Sequence, residues 1–176
     1  MTDLFQIKSK KYLNAWDGGG AIKVSGRWHF KGMKIEYTSN TFSLAQLEIL
    51  GQNRKISPEV HYTKTAIKEE VLTEFLDIKK LPREWNKPVL DEKSHGDMVN
   101  LTREWLSKSK SLLLGVPSVH SPHEYNFLVN VEHDLIKKIK AASKKLEHRI
   151  DHRIMLRAER FDPQNVENVF RKLKLI

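Results

Sequence analysis

The segment TFSLAQLEILG, Thr41 to Gly51, sets a carboxylate inside an apolar run. Its pattern predicts a short helix, with Ser39-Asn40-Thr41 as turn and N-cap and Gly51 as the stop. At about 100° per residue, Glu48 projects roughly 40° from Leu44, between Leu44 and Ala45, while Gln46 points to the far side. Gln46 is therefore expected to be the solvated residue, leaving Glu48 among apolar neighbours. A carboxylate placed there either packs its stem and reaches water with its head, or is partly desolvated so that its field acts on a positive charge.

Other groupings are weaker. DGGGA, with glycines at 18 to 20, allows positive φ or close approach of a ligand, or is simply a flexible loop. It is neither a Walker loop nor a dinucleotide fingerprint, because no Gly-Lys-Ser/Thr follows and the spacing fails. His120 and His123 lie close together but lack a second ligand pair. His148 and His152 are four apart, yet no Glu follows the first as metalloprotease chemistry requires. Solvated or hydrogen-bonded histidines are expected, and no metal site.

The elements that must position these groups read as follows. LFQIK, Leu4 to Lys8, is a first strand. Met33, Ile35 and Tyr37 alternate with polar residues, the mark of a half-buried strand, and Gly26-Arg27-Trp28 lies just before it. HYTKTAI, 61 to 67, is a further strand. Val71, Leu72, Phe75 and Leu76 have helical spacing up to Leu81-Pro82, and EWNKPVLDEKSHGD reads mostly as loop. A helix is expected over Asp97 to Ser107. Leu112 to Val116 is a continuous apolar run typical of a strand covered on both faces, and NFLVNV, 126 to 131, is another strand. From Asp134 to Arg160 the pattern suits a helix, yet Leu146, His148, Ile150, His152 and Ile154 also alternate. Asp162-Pro163 opens a terminal helix lined by Val166, Val169, Phe170 and Leu173. Strands and helices around one core give an α/β (α+β) domain with a central mixed sheet flanked by helices.

The 176 residues suffice for one core. Lys plus Arg is 31 against 22 Asp plus Glu, giving +9, a balance that favours anionic partners: nucleic acid, phosphorylated small molecules or an acidic protein. Cysteine is absent, which excludes disulfides and thiolate chemistry. MTDLFQIKSKKYL has no apolar run to serve as a signal-peptide core, and no stretch is long enough to cross a bilayer, so the expectation is cytoplasmic.

Five segments in this order resemble the RES-domain family, toxins of bacterial type II toxin–antitoxin pairs: DGGGA, SGRWHFKG, EYTSNTFSLAQLEIL, the VPS of Val116 to Ser118, and HEYNFLVNVEH. The resemblance runs from about Leu4 to Ile154. It implies a RES domain over 1–154, a tail over 155–176 packed on or part of the same domain, and a fold similar to the ADP-ribosyltransferase toxins. It also implies NAD+ as substrate, broken at the nicotinamide–ribose bond. The family's Arg, Glu and Ser fall on Arg27, Glu48 and Ser118, with Tyr37 as aromatic companion; Gly26, Trp28, Tyr125 and Asn126 are implied to bind substrate. The implied partner is an antitoxin with an Xre-like helix-turn-helix segment that blocks the active site. A homo-oligomer within that complex is compatible, whereas direct DNA binding and membrane association are not expected. Three positions depart from the pattern. Phe5-Gln6 stands where the family often has Tyr-Arg, leaving Lys8, Lys10 or Lys11 to replace a phosphate-binding cation. Ser25 replaces the first glycine before Gly26-Arg27, and Ile150-Asp151-His152-Arg153 stands for a terminal Phe-Asp-Pro-Arg.

The chemistry so implied needs few groups. Nicotinamide in NAD+ is already a cationic leaving group that departs neutral, so no general acid is required. The difficulty is the oxocarbenium-like charge developing on the ribose, which a fixed carboxylate stabilises. Arg27 would fork onto a phosphate or ribose oxygen, Tyr37 would stack on nicotinamide or bond to ribose, and Ser118 would bind the carboxamide or orient water. Transfer of ADP-ribose to a protein is the alternative within enzymes. Basicity alone suggests the alternative of another class, a nucleic-acid-binding or ribonuclease-type toxin with steep salt dependence.

Overall fold

The computed structural model describes residues 2–52, 57–68, 73–87, 91–108, 110–121, 123–151 and 153–154. They form β1 (Thr2–Lys8), α1 (Gly19–Lys23), β2 (Ile35–Ser39), α2 (Phe42–Gln52), β3 (Glu59–Ile67), β4 (Thr73–Phe75), α3 (Glu92–Lys108), β5 (Leu113–Pro117), β6 (Tyr125–Asn130), α4 (Ile136–Ala142) and β7 (Ser143–Arg149). The seven strands make one mixed sheet in the order β4-β5-β6-β2-β1-β3-β7, parallel at β4–β5 and antiparallel elsewhere. The α/β expectation holds.

The apolar run expected to be covered on both faces is β5, buried throughout, and β6 beside it is nearly so. On one face Leu114, Val116 and Leu128 pack with Met98 and Trp105 of α3, and with Trp28. On the other, Leu113, Phe127 and Val129 pack with Leu4, Trp16 and Ile139 of α4. Leu128 has no exposed surface. Leu128→Ala is expected to cost about 3 kcal/mol, since the removed atoms lose burial and leave a partly unfilled cavity. Chemical denaturation of parent and variant measures this directly.

The sheet is split in the middle. β1 pairs with β3 along its whole length, but with β2 at one position among the described residues, Phe5 opposite Ser39. Beyond that pair the two strands diverge, and side chains bridge the wedge in place of a ladder. Gln6 Nε2 donates to Glu36 Oε2 at 2.7 Å and to the Tyr37 carbonyl at 3.0 Å. Lys8 Nζ meets Glu36 Oε2 at 2.8 Å, and the Gly18 amide donates to Glu36 Oε1 at 3.1 Å. Gly18 has a φ of 72° and packs against the Lys34–Ile35 backbone, so DGGGA uses the positive φ that glycine allows and turns into α1 here.

Several expectations need correction. Thr73–Phe75 forms strand β4, not the expected helix, and the Leu76 amide donates to the Gly115 carbonyl; Val71 and Leu72 lie outside the described residues. The spacing fitted a helix, but the open edge of β5 supplied backbone partners and Phe75 found Tyr125 and Phe127 to pack on. α3 begins at Glu92, inside the stretch read as loop, because Asp91 caps it through the Ser94 amide at 2.9 Å. The ambiguous stretch contains both structures in turn, α4 and then β7. Ile150, after β7, is buried and its amide donates to the Pro58 carbonyl. His152 and the expected tail and terminal helix over 155–176 lie outside the described residues. No helix among the described residues is long and apolar enough to cross a membrane.

Candidate active site

A cavity of about 850 Å³ opens along the split, with Arg27, Tyr37, Glu48, His120 and Asn126 in its wall. α2 brings Glu48 to it. Thr41 caps the helix, its hydroxyl accepting from the Leu44 amide at 3.1 Å, and Leu44 and Ala45 are the residues buried beneath it. This buried stripe is narrower than the sequence suggests, because Glu48 and Ile49 line the cavity. Gln46 is half-buried, and Leu47, at 44 % exposure, faces solvent instead.

Glu48 is held from behind. Ser118 Oγ donates to Glu48 Oε1 at 2.9 Å, and Asn126 Nδ2 donates to the same oxygen at 2.5 Å. Ser118, just past the end of β5, in turn accepts from the His120 and Ser121 amides. Asn126, in β6, accepts from Ser39 Oγ of β2 at 2.7 Å. Thus β2, β5 and β6 all contribute to one oxygen. Glu48 Oε2 has His120 Nε2 at 3.6 Å, and its side chain is 20 % exposed. The result is a fixed carboxylate beside a cavity, able to stabilise positive charge without reorganising.

Arg27 lies on the turn closed by the reciprocal Gly26–His29 backbone bonds. Its guanidinium donates to the Trp85 carbonyl at 2.5 Å and to the Lys87 carbonyl at 2.8 Å, tying the turn to the loop before α3. Burial lowers its pKa, and the negative charge of Glu48 acts in the opposite direction. Tyr37 is pushed above its ordinary value, chiefly by burial, and Glu48 adds to the rise. Gly26 and Trp28 also line the cavity, Trp28 with its indole 6.3 Å from that of Trp85.

Tyr125 is not brought to the cavity. It precedes Asn126 on β6, so alternation turns it to the opposite face, where it packs against Phe75. The three lysines considered as replacement cations all have partners, and of them Lys8 lines the cavity together with its partner Glu36. Lys8 pairs with Glu36, Lys10 with Glu147 at 3.7 Å, and Lys11 lies over Tyr12.

Sequence reasoning missed His29 and Glu36, and weighed Gln6 only as a departure from the family pattern and His120 only as a metal ligand; all four line the cavity. Proximity to Arg27 was a signal for His29, and the alternating strand was one for Glu36. His29 is 4 % exposed, and burial is the main reason its pKa falls below the ordinary 6.5; the Val24 carbonyl raises it and His95 lowers it. The unfolded chain therefore takes up this proton first as pH falls. Stability is full above pH about 6.5 and is lost as pH drops through the lower folded value. Thermal melts between about pH 7 and about pH 5 are expected to show a fall in Tm that is smaller in His29→Leu.

The RES domain family matches residues 3–151. The chain is 33 % identical over 156 residues to a protein of Photorhabdus laumondii named "Toxin Res", covering 86 % of this chain and 96 % of that one. A Yersinia enterocolitica protein of the same name is 29 % identical over 152 residues, covering 86 % and 98 %. A Sphingobium protein named "Prs ADP-ribosylating toxin" is 32 % identical over 127 residues, covering 70 % and 77 %.

Proposed function

The chain belongs to the RES-domain family, and on that premise we propose that it is a toxin consuming NAD+ at its nicotinamide–ribose bond. The observation carrying this reading is the Glu48 carboxylate, anchored by Ser118 and Asn126 on the wall of a cavity that Arg27 and Tyr37 share. The donor set suits a dinucleotide: a carboxylate and a carboxamide for the sugar, a guanidinium for phosphate or ribose oxygen, and aromatic surface for the nicotinamide ring.

In the reaction, the C1′–N bond lengthens and its electron pair leaves with nicotinamide, which departs as a neutral base. Positive charge grows on the ribose C1′ and ring oxygen, and Glu48 stabilises it. At about 4 Å and an effective dielectric near 20, the attraction is on the order of 4 kcal/mol. Water then adds to C1′ and loses a proton, giving ADP-ribose; phosphate in its place gives the 1-phosphate ester. Arg27 holds the substrate, for which it must exchange or share its loop carbonyls. Ser118, whose hydroxyl donates to Glu48, acts by holding that carboxylate rather than by meeting the substrate.

Growth arrest follows from loss of NAD+. An antitoxin with a helix-turn-helix segment would restrain the toxin by covering the cavity, and an acidic face on it would complement the +9 charge. Transfer of ADP-ribose to a protein is the second reading, favoured by the name of the Sphingobium relative. Adenine-labelled NAD+ separates the two: label is expected in free ADP-ribose or its phosphate, and label retained on protein would favour transfer. Controlled expression should lower cellular NAD+ in parallel with growth arrest, and arrest with NAD+ undiminished would defeat the enzymatic reading.

A further inference from the structure

The Gly26–His29 turn does more than present Arg27. It places the buried His29 imidazole with Nδ1 2.7 Å from Tyr37 Oη and Nε2 2.9 Å from the Val24 carbonyl. A carbonyl oxygen can only accept, so Nε2 carries the hydrogen. With the neutral imidazole favoured by burial, Nδ1 is a bare lone pair and the Tyr37 hydroxyl must donate to it. Gly26 favours this arrangement, because a Cβ there would lie 2.7 Å from His29 Cε1 and 3.0 Å from His29 Nδ1 and would push the imidazole from its place.

We propose that His29 is a positioning residue that aims the Tyr37 hydroxyl, drawing its proton away from the cavity so that Tyr37 offers the substrate a hydrogen-bond acceptor. This rests on the NAD+ reading and deepens it. The group meeting Tyr37 is then a donor, a ribose hydroxyl or a carboxamide N–H. An oxygen lone pair turned toward the sugar also favours the developing positive charge, whereas a hydroxyl proton turned there would oppose it. The charged and titratable groups around His29 are Arg27 on its own turn, Tyr37 from β2 and His95 from α3, which bonds to the Gly26 carbonyl at 2.8 Å. Glu48 of α2 acts through its field on Tyr37 and Arg27.

Two measurements test this. Nitrogen NMR of the histidine-labelled full chain at about pH 7.5 is expected to show His29 with hydrogen on Nε2 and with an Nδ1 signal that moves in Tyr37→Phe. Hydrogen on Nδ1 would overturn the proposal whether or not NAD+ is consumed. In kinetics, His29→Leu is expected to lower kcat about tenfold in the parent and less than twofold in a Tyr37→Phe background, the size of one neutral hydrogen bond. His29→Asn, which returns an acceptor oxygen, should stay within about threefold of the parent. Equal losses in both backgrounds, or His29→Asn as impaired as His29→Leu, would overturn it. Should His29→Leu fail to fold, the Asn variant and the NMR signal decide. A parent chain that leaves NAD+ intact would instead defeat the proposed function.

Discussion

Glu48→Gln is expected to slow NAD+ consumption by about a thousandfold while leaving the fold intact, the loss matching roughly 4 kcal/mol of transition-state attraction. Glutamine keeps the length and shape of the side chain, and its carbonyl can still accept from Ser118 and Asn126. What disappears is the charge. The anchoring network shared by β2, β5 and β6 makes this a selective test, because neighbouring groups need not move to accommodate the variant. Thermal melting alongside initial rates of NAD+ loss separates charge from misfolding. A folded Glu48→Gln protein within about threefold of the parent would show that the carboxylate contributes under 1 kcal/mol and has no electrostatic role.

Arg27→Ala is expected to lower kcat/KM by about a hundredfold, the effect of losing one strong charge-assisted hydrogen bond to the substrate. Arg27→Lys should recover little. A lysine ammonium is a point charge on a flexible stem and cannot reproduce the fork that now spans the Trp85 and Lys87 carbonyls. The cation matters more because Lys8, Lys10 and Lys11 are engaged with Glu36, Glu147 and Tyr12. Steady-state kinetics of the two variants, with melts to report loss of the loop tether, provide the comparison. Retention of parental kcat/KM by Arg27→Ala would assign Arg27 to the loop alone.

Much of the framework was legible because it rests on local pattern. Leu112 to Val116 declared a strand covered on both faces and 126–131 a further strand, and both faces are indeed packed, by Met98 and Trp105 on one side and Ile139 on the other. The Thr41 cap and the presence of Glu48 in an apolar helix were also readable. What escaped depends on partners distant in sequence. β4 exists because β5 offers an edge, and α3 starts early because Asp91 caps it. The 134–160 stretch satisfies two periodicities, and only pairing of β7 with β3 determines where helix gives way to strand. The Glu36 wedge joins residues thirty positions apart, and the His29–Tyr37 contact requires the Gly26 turn to fold back on β2. Tyr125 was implied to bind substrate by the family resemblance, but strand alternation sends it to the other face.

The most direct measurement is nicotinamide release from NAD+ by the purified chain and its Glu48→Gln variant, side by side. One nicotinamide freed for each NAD+ lost by the parent, and none above background with the folded variant, is the predicted result. Intact NAD+ in the presence of an equimolar amount of the parent protein, or equal release by both proteins, would contradict it.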